Sequence, residues 1–229
     1  MKKLIALFVA VLMLVAIPLF AGLQNVETEI FPSVVRVTDD QSLKAPAASG
    51  TIVHEDGYII TNNHVVEVCG SHIFVQLYDG WWYQAQVISK HTTEDIAILK
   101  IDAPYKLQPI KYTLEVNVGE DIYVIGNPLM FEWSVSKGVV SAIRKVRVFG
   151  RENWYIQTDA AMNSGNSGGA VVNEKGEYIG VPTMGYMRAQ GLNFATPLSS
   201  FAKWAIQEIE GHIALVEGLN VILDMYNEE

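Results

Sequence analysis

The sequence predicts an all-β protein in two strand-rich halves, followed by a C-terminal helix. Three observations predict it. Between Glu29 and Ala195, short runs rich in Val, Ile, Tyr and Phe succeed one another, among them "SVVRVTD", "GYIITNN", "IAILKI", "DIYVIG" and "GAVVNEKG". Turn residues punctuate them at Asp56-Gly57, Asp79-Gly80, Gly119, Gly138 and Lys175-Gly176, the spacing of an antiparallel sandwich or barrel. No long helical stretch separates successive strands, and a parallel sheet needs such crossovers.

Taken in chain order, the N-terminus comes first. Lys2 and Lys3 precede an unbroken non-polar stretch from Leu4 to Leu23. A secretory signal needs about 7–15 apolar residues and a membrane span about 20, so this stretch reaches the longer class. Leu19 stands where a cut after Ala21 would want a small residue, which favours an uncleaved anchor over a cleaved signal peptide. With either, the lysines stay cytoplasmic and the remainder is exported.

The first strand-rich half then runs to a soft middle, residues 102–120, irregular and carrying Pro104 and Pro109. Within that half Trp81, Trp82 and Tyr83 are expected to pack on their strand. The second half contains "RKVRVFGR", read as a hairpin with a solvated basic face. After Pro197 the texture turns helical. Ser199 or Ser200 can cap a helix whose Phe201, Trp204, Ala205 and Ile209 share one face. Gly211 is expected to interrupt it before a second amphipathic stretch.

Composition narrows function. With 16 basic against 25 acidic residues, net charge −9, the chain is not expected to have a general affinity for nucleic acid, "RKVRVFGR" being the one local exception. The single Cys69 excludes an intrachain disulfide framework and reads as a small buried apolar residue. His54, His72, His91 and His212 have no metal-type spacing, so neither metal nor cofactor is expected.

Three residues carry the chemistry. Ser167 sits in Gly165-Asn166-Ser167-Gly168-Gly169. A serine hydroxyl becomes a nucleophile only beside a base, with N–H donors for the developing oxyanion. Gly165 provides the glycine-only dihedrals that aim two such donors from one turn. Ser164 lacks this flanking and belongs to the frame of the turn. His64 follows Thr-Asn-Asn at a strand end, and Asp95 leads into "IAILKI". Singly they read as a structural histidine and a turn cap. Together they stand in the order His, Asp, Ser, one of the known orders of convergent triads. A cleft between the two halves would join them.

The segments "SGTIVHEDGYIITNNHVV", "TEDIAILKI", "VIGNP", "SKGVVSAI" and "YIQTDAAMNSGNSGGAVVNEKGEYIGVPT" resemble, in order, motifs of the HtrA/Deg family of trypsin-fold serine proteases. The resemblance implies a chymotrypsin/trypsin-like double β-barrel with the site between barrels. Residues 24–110 would form the first barrel, 111–198 the second, and 199–229 the C-terminal helical segment. It makes His64 the general base, Asp95 its orienter and Ser167 the nucleophile, with the Gly165 and Ser167 N–H groups as oxyanion hole. Ala161 would floor the primary pocket. Without a carboxylate there a basic side chain would be buried unpaired, so small or medium apolar P1 residues are expected. Leu192, Asn193 and Phe194 would pair with the substrate backbone, favouring extended or misfolded polypeptide. A homotrimer, an extracytoplasmic location and membrane contact through residues 1–23 complete the expectation. Ser164 stands where many relatives carry Pro, "MFEWS" replaces a glycine-rich loop, and the stretch after Pro197 is too short for their usual PDZ domain. The competing reading is a catalytically latent protease fold that binds or holds a partner.

Overall fold

A computed structural model describes residues 23–41, 47–148, 151–185 and 190–227. The stretch Leu4–Leu23, read as anchor or signal, lies outside these residues except for Leu23. A short helix α1 (Val26–Glu29) leads into seven antiparallel strands: β1 (Val34–Thr38), β2 (Ala48–His54), β3 (Tyr58–Asn62), β4 (Phe74–Gln76), β5 (Trp82–Gln84), β6 (Gln86–His91) and β7 (Ile96–Lys100). Helix α2 (Asn63–Cys69) follows β3 directly.

The sheet order is β5-β4-β1-β2-β3-β7-β6. Its two edges are neighbours in the chain, since Ala85 alone separates β5 from β6. The Ala85 N–H donates to Ile73 O at 2.8 Å. One bent run therefore supplies both edges, and the sheet curls around its own core.

Six further strands close a barrel in the order β10-β13-β12-β11-β8-β9. They are β8 (Asp121–Gly126), β9 (Ser134–Val148), β10 (Arg151–Thr158), β11 (Ala170–Asn173), β12 (Tyr178–Gly185) and β13 (Asn193–Pro197). The linking segment divides its allegiance at residues 110 and 111. Leu107 and Ile110 donate backbone hydrogen bonds to Glu55 O and Ile52 O, whereas Lys111 O accepts one from Tyr178 N–H.

Period-two alternation explains the continuous apolar runs of β3, β7, β8 and β11. Ile59, Ala97 and Leu99 point into the first half, and Ile122, Val124 and Val171 into the closed barrel. Their chain neighbours Ile60, Ile96, Ile98, Ile125, Ala170 and Val172 meet in a third cluster, the seam between the halves. Both faces of these strands are buried, so both must be apolar.

Helix α3 (Ala202–Asn227) closes the seam with Phe201, Ala205 and Ile209. It differs from expectation in two ways. A 3-10 turn over Leu198–Ser200 precedes it, and the helix continues unbroken through Gly211. No atom outside the local helix backbone lies within 4 Å of a Cβ built at Gly211, so the interruption fails for lack of any clash or bend there. Glycine lowers helix stability by roughly 0.5–1 kcal/mol but does not end a helix already held by packing. Trp81 also departs from expectation, being 66% exposed. Cys69 is half-buried, and desolvation pushes its thiol up to about 11. Arg144, Lys145 and Arg147 lie exposed on the β9–β10 hairpin.

Candidate active site

His64 is the second residue of α2, immediately beyond the end of β3. Asp95 precedes β7, which pairs with β3 through Asn62 and Ile96. Register alone therefore brings the two residues together from 31 positions apart. Asp95 adopts φ 57°, a left-handed conformation that aspartate tolerates better than most residues. Its carbonyl accepts from the Asn63 N–H at 3.0 Å and from Asn62 Nδ2 at 2.9 Å. Its carboxylate makes two further bonds, Oδ1 accepting from the His64 N–H at 2.9 Å and Oδ2 lying 2.6 Å from His64 Nδ1. A carboxylate only accepts, so Nδ1 carries a proton, and in the neutral imidazole Nε2 is the nitrogen with the lone pair.

Glu94 stands beside Asp95, just before β7. That side chain is partly buried, and its Oε2 is buried without a hydrogen-bond partner among the described residues. Burial pushes its carboxyl up, partly offset by His91.

Ser167 occupies a tight turn on the other side of the cleft. The Asn166 N–H donates to Asn163 O and the Gly169 N–H to Asn166 O, each at 3.0 Å. Gly165 has φ 103°, and a Cβ there would stand 2.2 Å from Asn127 O. Gly168 has φ 84°, and its Cβ would stand 2.2 Å from Ser49 O. Both positions therefore demand glycine. Among the described residues the Gly165 and Ser167 N–H groups donate to no acceptor. Leu129, within the loop that carries "MFEWS", donates its N–H to Ser164 O at 2.9 Å.

Two adjoining grooves hold these residues. One is lined by Ala161, Ser167, Thr183, Met184 and Asn193, the other by His64, Asp95, Tyr155, Thr183 and Met184. Thr183 and Met184 are common to both, so the grooves form one cleft along the end of β12. No hydrogen bond joins His64 Nε2 to Ser167 Oγ among the described residues. Ala161 is exposed at the groove, its carbonyl accepting from Ser136 Oγ at 2.7 Å.

The expected substrate-pairing strand requires correction. Asn193 and Phe194 belong to β13, which is hydrogen-bonded to β10 on one edge and β12 on the other. Neither edge is open to a further strand, and Leu192 lies just before the ladder. Asn193 Nδ2 is occupied as well, donating to Ala160 O at 2.8 Å. The open edge is instead Thr183–Gly185 of β12. Beyond Gly180 this strand has left β11, while Met184 and Gly185 pair, among the described residues, with β13 alone. Pro182 in "VPTMG" was the available signal, since proline sits at strand edges and bulges. Ser49 and Asn127, buried beneath the Ser167 turn, were also missed.

A curled antiparallel sheet beside a closed antiparallel barrel, a buried apolar seam and a histidine–aspartate pair across a cleft from a glycine-flanked serine define the architecture of a trypsin-like peptidase. The family model described as "Trypsin-like peptidase domain" matches residues 48–181. The chain belongs to this family, on its HtrA/Deg branch. It is 38% identical over 183 residues to the serine endoprotease DegS of Haemophilus influenzae, covering 76% of this chain and 53% of that protein. It is 42% identical over 156 residues to a probable periplasmic serine endoprotease, DegP-like, of Hahella chejuensis, covering 66% and 33%. The chain thus spans about half or less of these relatives' length. Among solved structures it is similar to a serine endoprotease from Yersinia pestis, with 34% identity, TM-score 0.69 and coverage of 81% and 65%. The HtrA-type protease AlgW with tripeptide gives 30% identity, TM-score 0.72 and coverage of 82% and 63%.

Proposed function

We propose that the protein is an extracytoplasmic serine endopeptidase acting on extended or misfolded polypeptide. The observation that carries this reading is the doubly bonded His64–Asp95 pair, which leaves Nε2 unspent at a cleft shared with Ser167. Ser167 Oγ attacks the scissile carbonyl carbon and passes its proton to His64 Nε2. The carbonyl π electrons move onto oxygen, and the Gly165 and Ser167 N–H groups stabilise that oxyanion. His64 then gives the proton to the departing amine as the C–N bond breaks. Water, deprotonated by His64, hydrolyses the acyl-enzyme. Asp95 holds the imidazole in the required tautomer throughout. No hydrogen bond joins His64 Nε2 to Ser167 Oγ among the described residues, and such bonds tighten when substrate arrives.

The substrate backbone lies along Thr183–Gly185, adding a strand to the open edge of β12. Its P1 side chain enters the groove at Ala161, where no described lining residue carries a charge. Small or medium apolar P1 residues are preferred, because a charged one would be desolvated unpaired. The names of the DegP-like relatives support the extracytoplasmic location.

Mass spectrometry of the full chain after treatment with a fluorophosphonate tests the triad. The expected result is one adduct, on Ser167, that disappears in His64→Ala. A folded protein that takes no adduct has a latent site and supports a holding role instead.

A further inference from the structure

The turn that carries Ser167 does not support itself. Its two key carbonyls are bound by one residue of the opposite half, Ser49 on β2. The Ser49 hydroxyl donates to Gly165 O at 2.7 Å, and the Ser49 N–H donates to Ser167 O at 2.9 Å. These are the carbonyls of the two residues whose N–H groups would form the oxyanion hole. Ser49 is fully buried, so water does not compete for either bond.

Ser49 is itself held on every side. Its Oγ accepts from the Asn127 N–H at 2.9 Å and from Asn127 Nδ2 at 3.1 Å. Two donors into that oxygen leave its single proton committed to Gly165 O. Asn127 is in turn fixed, Nδ2 also donating to Val35 O at 3.1 Å and Oδ1 accepting from the Trp133 N–H at 3.0 Å. Thr61 Oγ1 donates to Ser49 O at 2.7 Å. Space enforces the same arrangement, for a Cβ on Gly126 would stand 2.9 Å from Ser49 Oγ.

We infer that Ser49 is a positioning residue for the oxyanion hole: from the opposite half it anchors the Gly165–Asn166 peptide, which links the two donor-bearing peptides, and the Ser167–Gly168 peptide that follows them. The inference rests on the reading of Ser167 as nucleophile. Glycine at 165 leaves its flanking peptides free to rotate, and a donor whose direction wanders stabilises the transition state less than a preorganised one. The Ser49 hydroxyl removes that freedom at Gly165 O. Ser49 touches neither substrate nor reacting atoms, so its contribution concerns only the orientation of groups that do.

The experiment compares wild type with Ser49→Ala, using a fluorogenic peptide amide with valine before the scissile bond and the matching peptide boronic acid. Active sites are first counted with a fluorophosphonate. The expected result is a loss of at least about tenfold in kcat per titrated site, short of the 10²–10³ typical of deleting an oxyanion donor outright. KM stays unchanged, and the boronic acid, whose adduct places an oxygen in the oxyanion hole, loses affinity by the same factor as kcat. A purely structural role lowers the number of titratable sites and leaves kcat per site intact, which overturns the inference. If Ser49→Ala does not fold, Ser49→Cys, close in size and a weak donor, is held to the same criteria. Wild type that takes no fluorophosphonate overturns the protease reading and this inference with it. Normal labelling with an unaltered variant overturns the role of Ser49 alone.

Discussion

The two sides of the cleft are built differently. His64, Asp95 and the residues bonded to Asp95 all belong to the first half. Their contacts follow from the β3–β7 register, and the Asp95 carboxylate and carbonyl bind residues of the strand end and helix beside it. The Ser167 side is locally loose, with glycine before the serine and two more after it. It gains its shape from Ser49 and Asn127, 116 residues and 38 residues from Gly165 (165 − 49 and 165 − 127). A base can be oriented by one folded sheet. A glycine-rich turn of this composition needs both halves docked.

The largest expected effect separates the two sides at the base. Asp95→Asn removes the acceptor that fixes the imidazole tautomer, and kcat should fall by about 10⁴. Because the defect is confined to the His64 side, the boronic acid should still bind and circular dichroism should be unchanged. Loss of folded signal would show that the pair supports the fold as well.

Gly165→Ala strikes the other side. The new Cβ meets the Asn127 backbone 2.2 Å away in a left-handed conformation, so the turn must shift. A fall in kcat of about 10²–10³ is expected, the scale of losing an oxyanion donor. Thermal stability should fall with it, since Asn127, in the β8–β9 connection, bonds Ser49 and Val35 of the first half. Calorimetry and peptide kinetics on the same sample check both. Unchanged kcat would mean that the turn is not the oxyanion hole.

The smallest effect sharpens the comparison on the base side. Glu94 adjoins Asp95, and burial raises its carboxyl above the ordinary range. A raised folded value favours the protonated form, so the associated stability is complete below the unfolded pKa of about 4.3. It is lost as pH rises through the folded value. Glu94→Gln stays neutral throughout. Its Tm should exceed wild type at pH 8 and equal it near pH 4. The difference should not exceed the ~2–4 °C that 1 kcal/mol gives in a chain of this size. An equal offset at both values would attribute the effect to packing rather than charge.

Much of this was legible before any coordinates. The strands showed themselves because apolar residues on alternating faces are a local signal, and the doubly buried β3, β7, β8 and β11 strengthened it. His64, Asp95 and Ser167 stood out from their flanking chemistry, a strand end, a strand mouth and a glycine turn, and the structure places them along one cleft. The helix face of Phe201, Ala205 and Ile209 was equally readable from its period. The reading failed where the outcome depended on packing. Gly211 seemed a break because isolated propensity disfavours it, but a helix already anchored to the seam runs through it.

The sequence by itself therefore determined the β class, the position of the tight turn and the residue types at the cleft. These follow from side-chain periodicity and from dihedrals that only glycine adopts freely. The tertiary structure alone decided which strand edge stays open, closing both sides of Asn193–Phe194 and freeing Thr183–Gly185. It also decided that a serine on β2 would brace a turn in the other half. Edge pairing and hydrogen bonding across a seam depend on which distant segments become neighbours, and local residue pattern carries no measure of that.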